Sequence, residues 1–471
     1  MRLRAALGGL LLAAGCGPVI DLDDAGPRID AGFFVFDAGQ PVDAGTDAGV
    51  VEPDAGVDAG PDAGVVDAGQ PVDAGFSVLR YPSGRTQSPL TAEVAAHLRS
   101  IAALSPLRNA AVFSKIGDSN TVNTNYLGCF AGAGVDLSTH TALQPALTHF
   151  LGGMVGSTTP FDRTSLSATV GWFASSTLVG MPTPLQQELD AASPRYATVM
   201  FGTNDVGLAD THTFGRNMFT IIDTLSMLGV VPIVSAIPPR DDSATTDAWV
   251  PRYNLVARGI AQARRVPFID LHRELLNVPA HGLGADGVHL NVYVPGAVRG
   301  CALTPAGLAF GHNTRNLATL EGLSRAWGAV SSGTAPDATA PRIQGTGLRG
   351  DEIVINSLPF VDVRDTRTDG AARIDSYPGC ASAANESGRE VLYRLELAQP
   401  TNVRVFVVSL GTADIDVHLM SDTTSGQSCV VRNDKFFVRQ LAAGTYWLSL
   451  DTYQSAAGVL PGEYLVGVIA E

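Results

Sequence analysis

Between residues 92 and 328, two patterns of apolar positions alternate along the chain. Three segments with apolar residues at helical spacing predict helices over residues 92–104, 213–229 and 313–328. Between them, runs of strand length predict buried strands: AAVFSKIG (110–117), YATVMFG (196–202), VVPIVSAI (230–237) and VPFIDL (266–271). Strands that alternate with helices predict a parallel sheet covered on both faces, which is a three-layer α/β/α sandwich.

The pattern changes to a period of two near the C-terminus. Residues 331–342, SSGTAPDATAPR, are small or Pro-rich and predict a linker. Beyond them, short β segments are separated by turn residues: YRLEL (393–397), VRVFVVSL (403–410), DIDVHLM (414–420), TYWLSL (445–450) and EYLVGVI (463–469). These segments predict a smaller antiparallel β-sandwich domain over residues 343–471.

Neither pattern occurs before residue 78. From Asp24 to Gly75 the triplet Asp-Ala-Gly recurs ten times, with starts four to seven residues apart. This irregular spacing disfavours a solenoid, which requires a fixed repeat. Because Gly and Pro oppose helix and few side chains can be buried, we expect residues 17–77 to be a disordered tether. Weak calcium binding by its aspartates is the alternative.

The first sixteen residues, MRLRAALGGLLLAAGC, combine two arginines, a short apolar run and small residues before Cys16. This pattern predicts an export signal and not a spanning helix. The stretch LAAGC resembles a bacterial lipoprotein signal, which implies that Cys16 becomes the lipidated N-terminus; simple cleavage is the alternative. We therefore expect an exported protein, anchored by lipid to a membrane of a bacterial cell envelope or surface.

The formal net charge of −15 lies mostly in the predicted tether. Residues 17–76 contain thirteen Asp or Glu and a single basic residue, Arg28. The rest of the chain is only mildly acidic and has no pattern typical of a basic groove. We therefore expect no nucleic-acid partner.

Four cysteines remain besides Cys16, and in an oxidising compartment thiols tend to pair. We expect one disulfide between Cys129 and Cys301 and another between Cys380 and Cys429, because each pair falls within one predicted domain. Four buried free cysteines are the alternative. No C-x-x-C or Cys/His spacing occurs, so no zinc site is predicted.

Polar residues follow the predicted strands at the point where each strand ends. Ser119 follows the first strand in IGDSN, and Asn204 follows the second in FGTND. The later loop GADGVHLN supplies Asp286 and His289, three residues apart. Carboxyl ends of parallel strands meet at one edge, where open sheets bind ligands. A hydroxyl, an amide, an imidazole and a carboxylate at that edge are the groups that acyl transfer requires.

These three blocks, IGDSN, GTND and DGVH, resemble in the same order those of the SGNH or GDSL-type hydrolase family, over about residues 78–330. The resemblance implies an SGNH-hydrolase-like fold and a serine esterase that needs no cofactor or metal. It makes Ser119 the nucleophile, His289 the general base and Asp286 the group that orients the imidazole. Asn120 stands where the family name has Leu.

The resemblance also implies an oxyanion hole. Its donors would be the backbone N–H of Ser119, the side-chain amide of Asn204 and the backbone N–H of a glycine. In SLSATVGWFASS we predict Gly171 as that glycine. The alternatives that stay open are Gly152, Gly153 and Gly156.

The C-terminal stretches ESGREVLYRLEL, DIDVHLMSD, AAGTYWLSLD and GEYLVGV resemble the bacterial pre-peptidase C-terminal domain, over about residues 343–471. This resemblance implies a non-catalytic accessory module that binds a surface or a polymer. Five residues have the side-chain oxygens that calcium prefers as ligands: Asp414, Asp416, Asp422, Asn433 and Asp434. We favour the interpretation that they are ordinary residues at strand ends. Trp447 and Tyr453 are interpreted as core residues and not as a sugar platform.

The sequence therefore predicts a surface-tethered serine hydrolase that cleaves oxygen esters through an acyl-serine. Acetyl esters of polysaccharide or cell wall and lipid esters are the candidate substrates, with water or another sugar as the acyl acceptor. One alternative is a non-catalytic adhesion or binding lipoprotein.

A metal-dependent phosphoesterase is a further alternative, with ligands from Asp118, Asn204, Asp270, His272 and His289. In the family that this would resemble, Asp-x-His comes first in the chain. Here it follows the GD and ND motifs.

Overall fold

The computed structural model describes residues 78–295 and 299–471. The predicted signal, Cys16 and the predicted tether over residues 17–77 lie outside the described residues. All described residues belong to one compact unit. Among the helices of this part, none has both the length and the apolar character needed to cross a membrane.

The first part of the unit is built on a four-stranded parallel sheet. Its strands are β1 (Asn109–Gly117), β2 (Pro194–Met200), β3 (Val231–Ser235) and β4 (Phe268–Ile269), in spatial order β1-β2-β3-β4. Its helices are α1 (Ala92–Ala103), α2 (Ser119–Val122), α3 (Gln144–Leu151), α4 (Pro184–Ala192), α5 (Thr211–Met227), α6 (Ala244–Asp247), α7 (Val250–Ala263), α8 (Leu271–Leu275) and α9 (Gly311–Ser332). Helices α1 and α9 pack together on the sheet, as do α5 and α7. The α/β/α sandwich predicted from the sequence is confirmed.

The predicted helices correspond to α1, α5 and α9, whose ends differ from the predictions by at most four residues. Helix α7 was not predicted. Nearly all of its residues are buried, including the polar Arg252, Asn254, Arg258 and Gln262. Its apolar residues nevertheless recur at helical spacing, at Val250, Tyr253, Val256 and Ile260, so the pattern that indicates a helix is present in its sequence.

The second part of the unit is the predicted β-sandwich. Its strands are β5 (Ile353–Ile355), β6 (Phe360–Asp365), β7 (Glu390–Leu397), β8 (Thr401–Ser409), β9 (Ile415–Met420), β10 (Cys429–Asn433), β11 (Phe436–Leu441), β12 (Gly444–Thr452), β13 (Gln454–Ser455), β14 (Gly458–Val459) and β15 (Glu463–Ala470). Two sheets, β10-β9-β12-β7-β5 and β11-β8-β15-β6, enclose an apolar core. The pairing is antiparallel except between β5 and β7, which run parallel.

The sandwich packs directly on helices α5 and α7. A Cβ on Gly259 would lie 2.4 Å from Val361 Cγ2, and one on Gly215 would lie 2.8 Å from Val408 Cγ1. These two glycines therefore let the β6–β8 sheet approach the helices closely. Sandwich side chains Val361, Phe406, Val408 and Leu465 belong to the same apolar core as the α/β part. The two parts thus share a core across their boundary.

The connection between the two parts is fastened to the α/β part. It has no helix or strand between Gly333 and Ala340. Within it, the Asp337 carboxylate accepts hydrogen bonds from the Leu90 N–H (2.7 Å), from Arg85 (2.8 Å) and from Arg325 (2.7 Å). The predicted linker is therefore held against the protein at its middle.

Two disulfides are present among the described residues. Cys129 pairs with Cys301, with Cα atoms 5.7 Å apart, and Cys380 pairs with Cys429, with Cα atoms 5.3 Å apart. These are the pairs expected from the sequence. The first joins the segment after α2 to the segment before α9, and the second lies within the sandwich.

Glu390, at the start of β7, is expected to make the folded state less stable as pH rises. Its side chain is buried, and burial raises its pKa from 4.5 to about 7. The contribution of Glu390 to stability is therefore greatest below pH 4.5 and falls by about 3 kcal/mol as pH rises to about 7. Glu390→Gln should reduce this slope, measured by urea unfolding from pH 4 to pH 8. The control is Glu396→Gln, an exposed glutamate of the same strand; equal slopes in wild type and Glu390→Gln would contradict the prediction.

Candidate active site

Ser119 lies immediately beyond the carboxyl end of β1. Asp118 caps α2 by accepting a hydrogen bond from the Asn120 N–H (3.0 Å), so Ser119 is the first residue of that helix. A Cβ on Gly117 would lie 2.4 Å from both Met200 O and Thr121 Oγ1, so only glycine fits where the chain turns. The Ser119 N–H is at a helix position that has no intrahelical acceptor.

The loop after α8 brings His289 and Asp286 to Ser119. His289 Nε2 lies 2.8 Å from Ser119 Oγ, and His289 Nδ1 lies 2.7 Å from Asp286 Oδ2. Asp286 Oδ1 also accepts hydrogen bonds from the backbone N–H groups of Val288 and His289, both at 3.0 Å. Hydrogen bonding by His289, together with these N–H groups, lowers the pKa of Asp286 to about 2. An ionised Asp286 favours the proton on Nδ1, which leaves Nε2 able to accept a proton from the serine.

Two residues that the sequence analysis did not assign to the site hold α2 in place. The Asn120 side chain accepts a hydrogen bond from the Leu290 N–H (3.2 Å), which ties the serine segment to the histidine loop. The buried Arg315 guanidinium donates to Asn120 O (2.6 Å) and Thr121 Oγ1 (3.0 Å). It also lies 3.6 Å from the centroid of the Tyr126 ring. Arg315 is far from α2 in sequence, and no local pattern indicates this contact.

Asn204 follows β2 and contacts the segment that contains Gly171. Its Nδ2 donates to Trp172 O (2.9 Å), and an amide nitrogen keeps a second N–H. The same segment is bonded to the end of β1, because the Gly117 N–H donates to Ser167 O (3.0 Å) and the Thr169 N–H to Gly117 O (3.3 Å). The segment that contains Gly171 is therefore bonded to Asn204, which follows β2, and to the end of β1, which Ser119 follows.

The other candidate glycines differ in their surroundings. A Cβ on Gly153 would lie 1.9 Å from Ala111 O, at the beginning of β1. Gly152 precedes it directly, and Ala111 is six residues from Gly117, or roughly 20 Å along an extended strand. Gly153 and Gly152 are thus at the wrong end of β1 for Ser119. A Cβ on Gly156 would contact nothing within 4 Å, and the same is true of Gly171, so this measure does not distinguish the two.

Aspartates next to the site have structural partners. The Asp205 carboxylate accepts a hydrogen bond from the Ala174 N–H (3.1 Å), and burial raises its pKa to about 6. Burial also raises the pKa of Asp118, opposed by the charge of Arg315. Asp270, a metal ligand in the phosphoesterase alternative, forms an ion pair with Arg258. Across residues 78–295 and 299–471, no group of three or more His, Cys, Asp or Glu is placed to hold a metal ion.

Residues 116–293 match the model of the GDSL-like Lipase/Acylhydrolase family. These residues form a GDSL-like acylhydrolase domain. The GDSL-like domain includes the sequence blocks that contain Ser119, Asn204, Asp286 and His289. The predictions of an SGNH-type fold and of a serine esterase are confirmed. No curated protein matches the chain.

Several solved structures are similar to a part of this chain. Axe2, an acetylxylan esterase from Geobacillus stearothermophilus, is 17% identical, with a TM-score of 0.31, over 46% of this chain and 95% of that one. An acetyl esterase mutant with an acetate ion is 19% identical, with a TM-score of 0.31, over 45% and 97% of the two chains. The acetyl xylan esterase AlAXEase is 14% identical, with a TM-score of 0.30, over 46% and 98%.

Arg240, in the segment after β3, joins two loops of the GDSL-like domain. Its guanidinium donates to Thr203 O, next to Asn204, and to both carboxylate oxygens of Asp242 (2.8 and 2.9 Å). Asp242 in turn lies against the loop of Asp286 and His289, because a Cβ added to Gly287 in that loop would be 2.6 Å from Asp242 N. Arg240 therefore connects the turn of Asn204 to the loop of His289.

Arg240→Ala is expected to lower kcat for an ester by about ten- to a hundredfold, because a small displacement of reacting groups is costly. KM should change less than kcat, since Arg240 holds two loops together and is not itself one of the candidate catalytic groups. The measurement is steady-state kinetics with p-nitrophenyl acetate. Arg367→Ala is the matched control, because Arg367 pairs with Asp365 in the same i, i+2 arrangement but in the sandwich. An unchanged kcat in Arg240→Ala would show that the connection does not position the site.

Proposed function

We propose that the protein is a lipid-anchored esterase in which Ser119 attacks the ester carbonyl, assisted by His289 and Asp286. The observation that carries this proposal is the continuous chain of hydrogen bonds from Ser119 Oγ through the His289 ring to Asp286. A serine hydroxyl is a weak nucleophile until a base accepts its proton, and an imidazole held in this way is such a base.

In the first half of the reaction, Ser119 Oγ bonds to the carbonyl carbon while its proton moves to His289 Nε2. The carbonyl oxygen becomes an oxyanion, for which the Ser119 N–H, an Asn204 Nδ2–H and the Gly171 N–H are the proposed donors. The ester C–O bond then breaks, and the alcohol leaves with the proton held by His289.

In the second half, water replaces the alcohol. Its oxygen bonds to the acyl carbon while His289 Nε2 accepts one of its protons. The bond from the acyl carbon to Ser119 Oγ breaks, and that proton returns to the serine. The ionised Asp286 stabilises the imidazolium in both halves.

The surroundings of α2 favour a small acyl group on a polar alcohol over a lipid ester. A cavity of about 190 Å³ lies beside α2, and its lining includes Thr121, Asn123, Asp162 and Ser165. This volume is below the range of roughly 300–1,000 Å³ that is typical of small-ligand sites, so the cavity is too small for a long acyl chain. We therefore propose acetyl esters of a polysaccharide as the substrate class.

The N-terminal sequence supports a location at a membrane surface. The lipoprotein-like signal ending at Cys16 supplies the proposed anchor. A flexible tether of about 60 residues has a root-mean-square reach of roughly 45 Å. The esterase would thus reach polymers near that surface. Radiolabelled palmitate incorporation that is lost in Cys16→Ala would support the anchor, and equal incorporation in both would contradict it.

Labelling with a fluorophosphonate tests the nucleophile without any assumption about the substrate. The full-length protein should be labelled on one peptide containing Ser119, and Ser119→Ala and His289→Ala should lose the label. Ser235→Ala is the matched control, because Ser235 ends β3 at the same edge of the sheet. A folded protein that is not labelled on Ser119 would contradict the proposal and favour a binding lipoprotein.

A further inference from the structure

A cavity of about 350 Å³ lies between the GDSL-like domain and the β-sandwich. The GDSL-like side contributes Asn254, Arg258, Asp270 and His272, and the sandwich contributes Pro359 and Ile469. We name this cavity the junction cleft. Its volume is within the range of roughly 300–1,000 Å³ that is typical of small-ligand sites.

The junction cleft is at the same edge of the sheet as Ser119. Asp270 directly follows β4, and the Asn254 side chain bonds the backbone N–H (2.8 Å) and C=O (3.1 Å) of Ile237, just beyond β3. Ser119 follows β1 at that edge. Because neighbouring strands are about 4.8 Å apart, β4 is roughly 14 Å from β1 across the sheet. An extended oligosaccharide is long enough to span this distance.

A buried ion pair forms the polar wall of the junction cleft. Arg258 is 7% exposed and Asp270 is 4% exposed, and Arg258 Nη2 donates to Asp270 Oδ2. Within the part of the chain that the structure describes, Arg258 Nε has no hydrogen-bond partner. Buried ion pairs contribute little to stability, and an unpartnered buried donor is unfavourable. Nε itself is shielded from solvent, so a ligand in the cleft would accept a hydrogen bond from another nitrogen of the same guanidinium.

The rest of the lining fits a ligand with hydroxyl groups. The charge of Arg258 is balanced by Asp270 in direct contact, and the other charged lining residue, Arg273, is exposed, so its charge is screened by solvent. Burial lowers the pKa of His272, which keeps this imidazole neutral at neutral pH. Apolar surface comes from Leu255 and, across the cleft, from Ile469. Fixed polar groups beside aliphatic surface fit a sugar ring, which presents hydroxyls at its rim and C–H groups on its faces.

We propose that the junction cleft binds neutral sugar residues of the polysaccharide that carries the ester. This inference rests on the proposed function, because it assigns a second contact of the same substrate. The β-sandwich then acts in substrate binding by forming one wall of the cleft. The ester at Ser119 and the sugar residues in the cleft then belong to one polysaccharide molecule.

The test is the binding of xylohexaose, cellohexaose and chitohexaose to the full-length Ser119→Ala variant, measured by isothermal titration calorimetry. At least one of these neutral probes should bind. The double substitution Arg258→Met with Asp270→Asn should weaken that binding at least tenfold, because it removes the guanidinium without leaving an unpaired charge. His272→Ala, at a partly buried position, should weaken it at least threefold.

The matched control is Arg252→Met with Glu471→Gln, which removes another ion pair of α7 that lies outside the junction cleft. Its affinity should equal that of the parent variant. Binding of none of the three probes would overturn the proposal, as would equal affinity in the cleft variants that remain folded. If the double substitution does not fold, His272→Ala alone decides.

Turnover of p-nitrophenyl acetate separates this inference from the proposed function. The cleft substitutions, made in the protein with Ser119 intact, should leave this turnover unchanged, because the probe has no sugar. If wild type binds the oligosaccharides but does not turn over esters, the proposed function fails while the sugar site stands. If it turns over esters but binds no probe, only the cleft proposal fails.

Discussion

Replacing Ser119 by alanine is expected to lower ester turnover by about 10⁴-fold or more while leaving the fold intact. The Ser119 hydroxyl is bonded to His289 Nε2, and the substitution removes only that oxygen. His289→Ala should cause a loss of similar size, because the two residues act as one unit. The double variant should therefore be no worse than either single variant. The measurement is kcat with p-nitrophenyl acetate, alongside the thermal unfolding midpoint.

Two results would contradict this expectation. One is turnover in Ser119→Ala within tenfold of wild type at an unchanged unfolding midpoint, because another group would then be the nucleophile. The other is a double variant whose loss equals the product of the two single losses, since independent groups behave in that way.

Removing the β-sandwich is expected to prevent stable folding of the GDSL-like domain. A fragment of residues 78–342 would expose the apolar faces of α5 and α7 that Val361, Val408 and Leu465 cover in the full chain. It would also lose the ion pairs of Arg264 with Glu463 and of Arg252 with Glu471. We expect the fragment to aggregate or to unfold at a much lower temperature, whereas full-length protein unfolds in a single transition.

The matched control for this truncation is the fragment of residues 78–471, which lacks only the predicted signal and tether. Its unfolding midpoint should equal that of the full-length chain. The outcome against the prediction would be a soluble fragment of residues 78–342 with the same unfolding midpoint and the same esterase kcat. The sandwich would then be an independent module.

The fold of the GDSL-like domain was predictable where local pattern and burial agree. Helices α1, α5 and α9 each have a face on the core, and their periodic apolar residues indicated them. Helix α7 has the sheet on one side and the sandwich on another, so its polar residues are buried, although its apolar residues still recur at helical spacing. The close packing of the two parts was likewise not evident, because the sequence of residues 331–342 has the composition of a flexible linker.

The site was predictable to the extent that each group follows a strand or lies in one short loop. Ser119, Asn204, Asp286 and His289 were found in this way. Arg240 and Arg315 were not, because both act through backbone oxygens of residues that are distant in the chain. Such contacts depend on the folded arrangement and leave no motif.

The disulfide between Cys129 and Cys301 would keep the chain joined after a single proteolytic cut between them. The two cysteines are 172 residues apart, and the stretch between them contains Asn204, Asp286 and His289, whereas Ser119 precedes it. A protease that cut one exposed loop in this stretch would split the chain into two pieces, with Ser119 on the first. The disulfide would keep both pieces covalently joined, so a single cut would not allow the fragment carrying His289 to diffuse away.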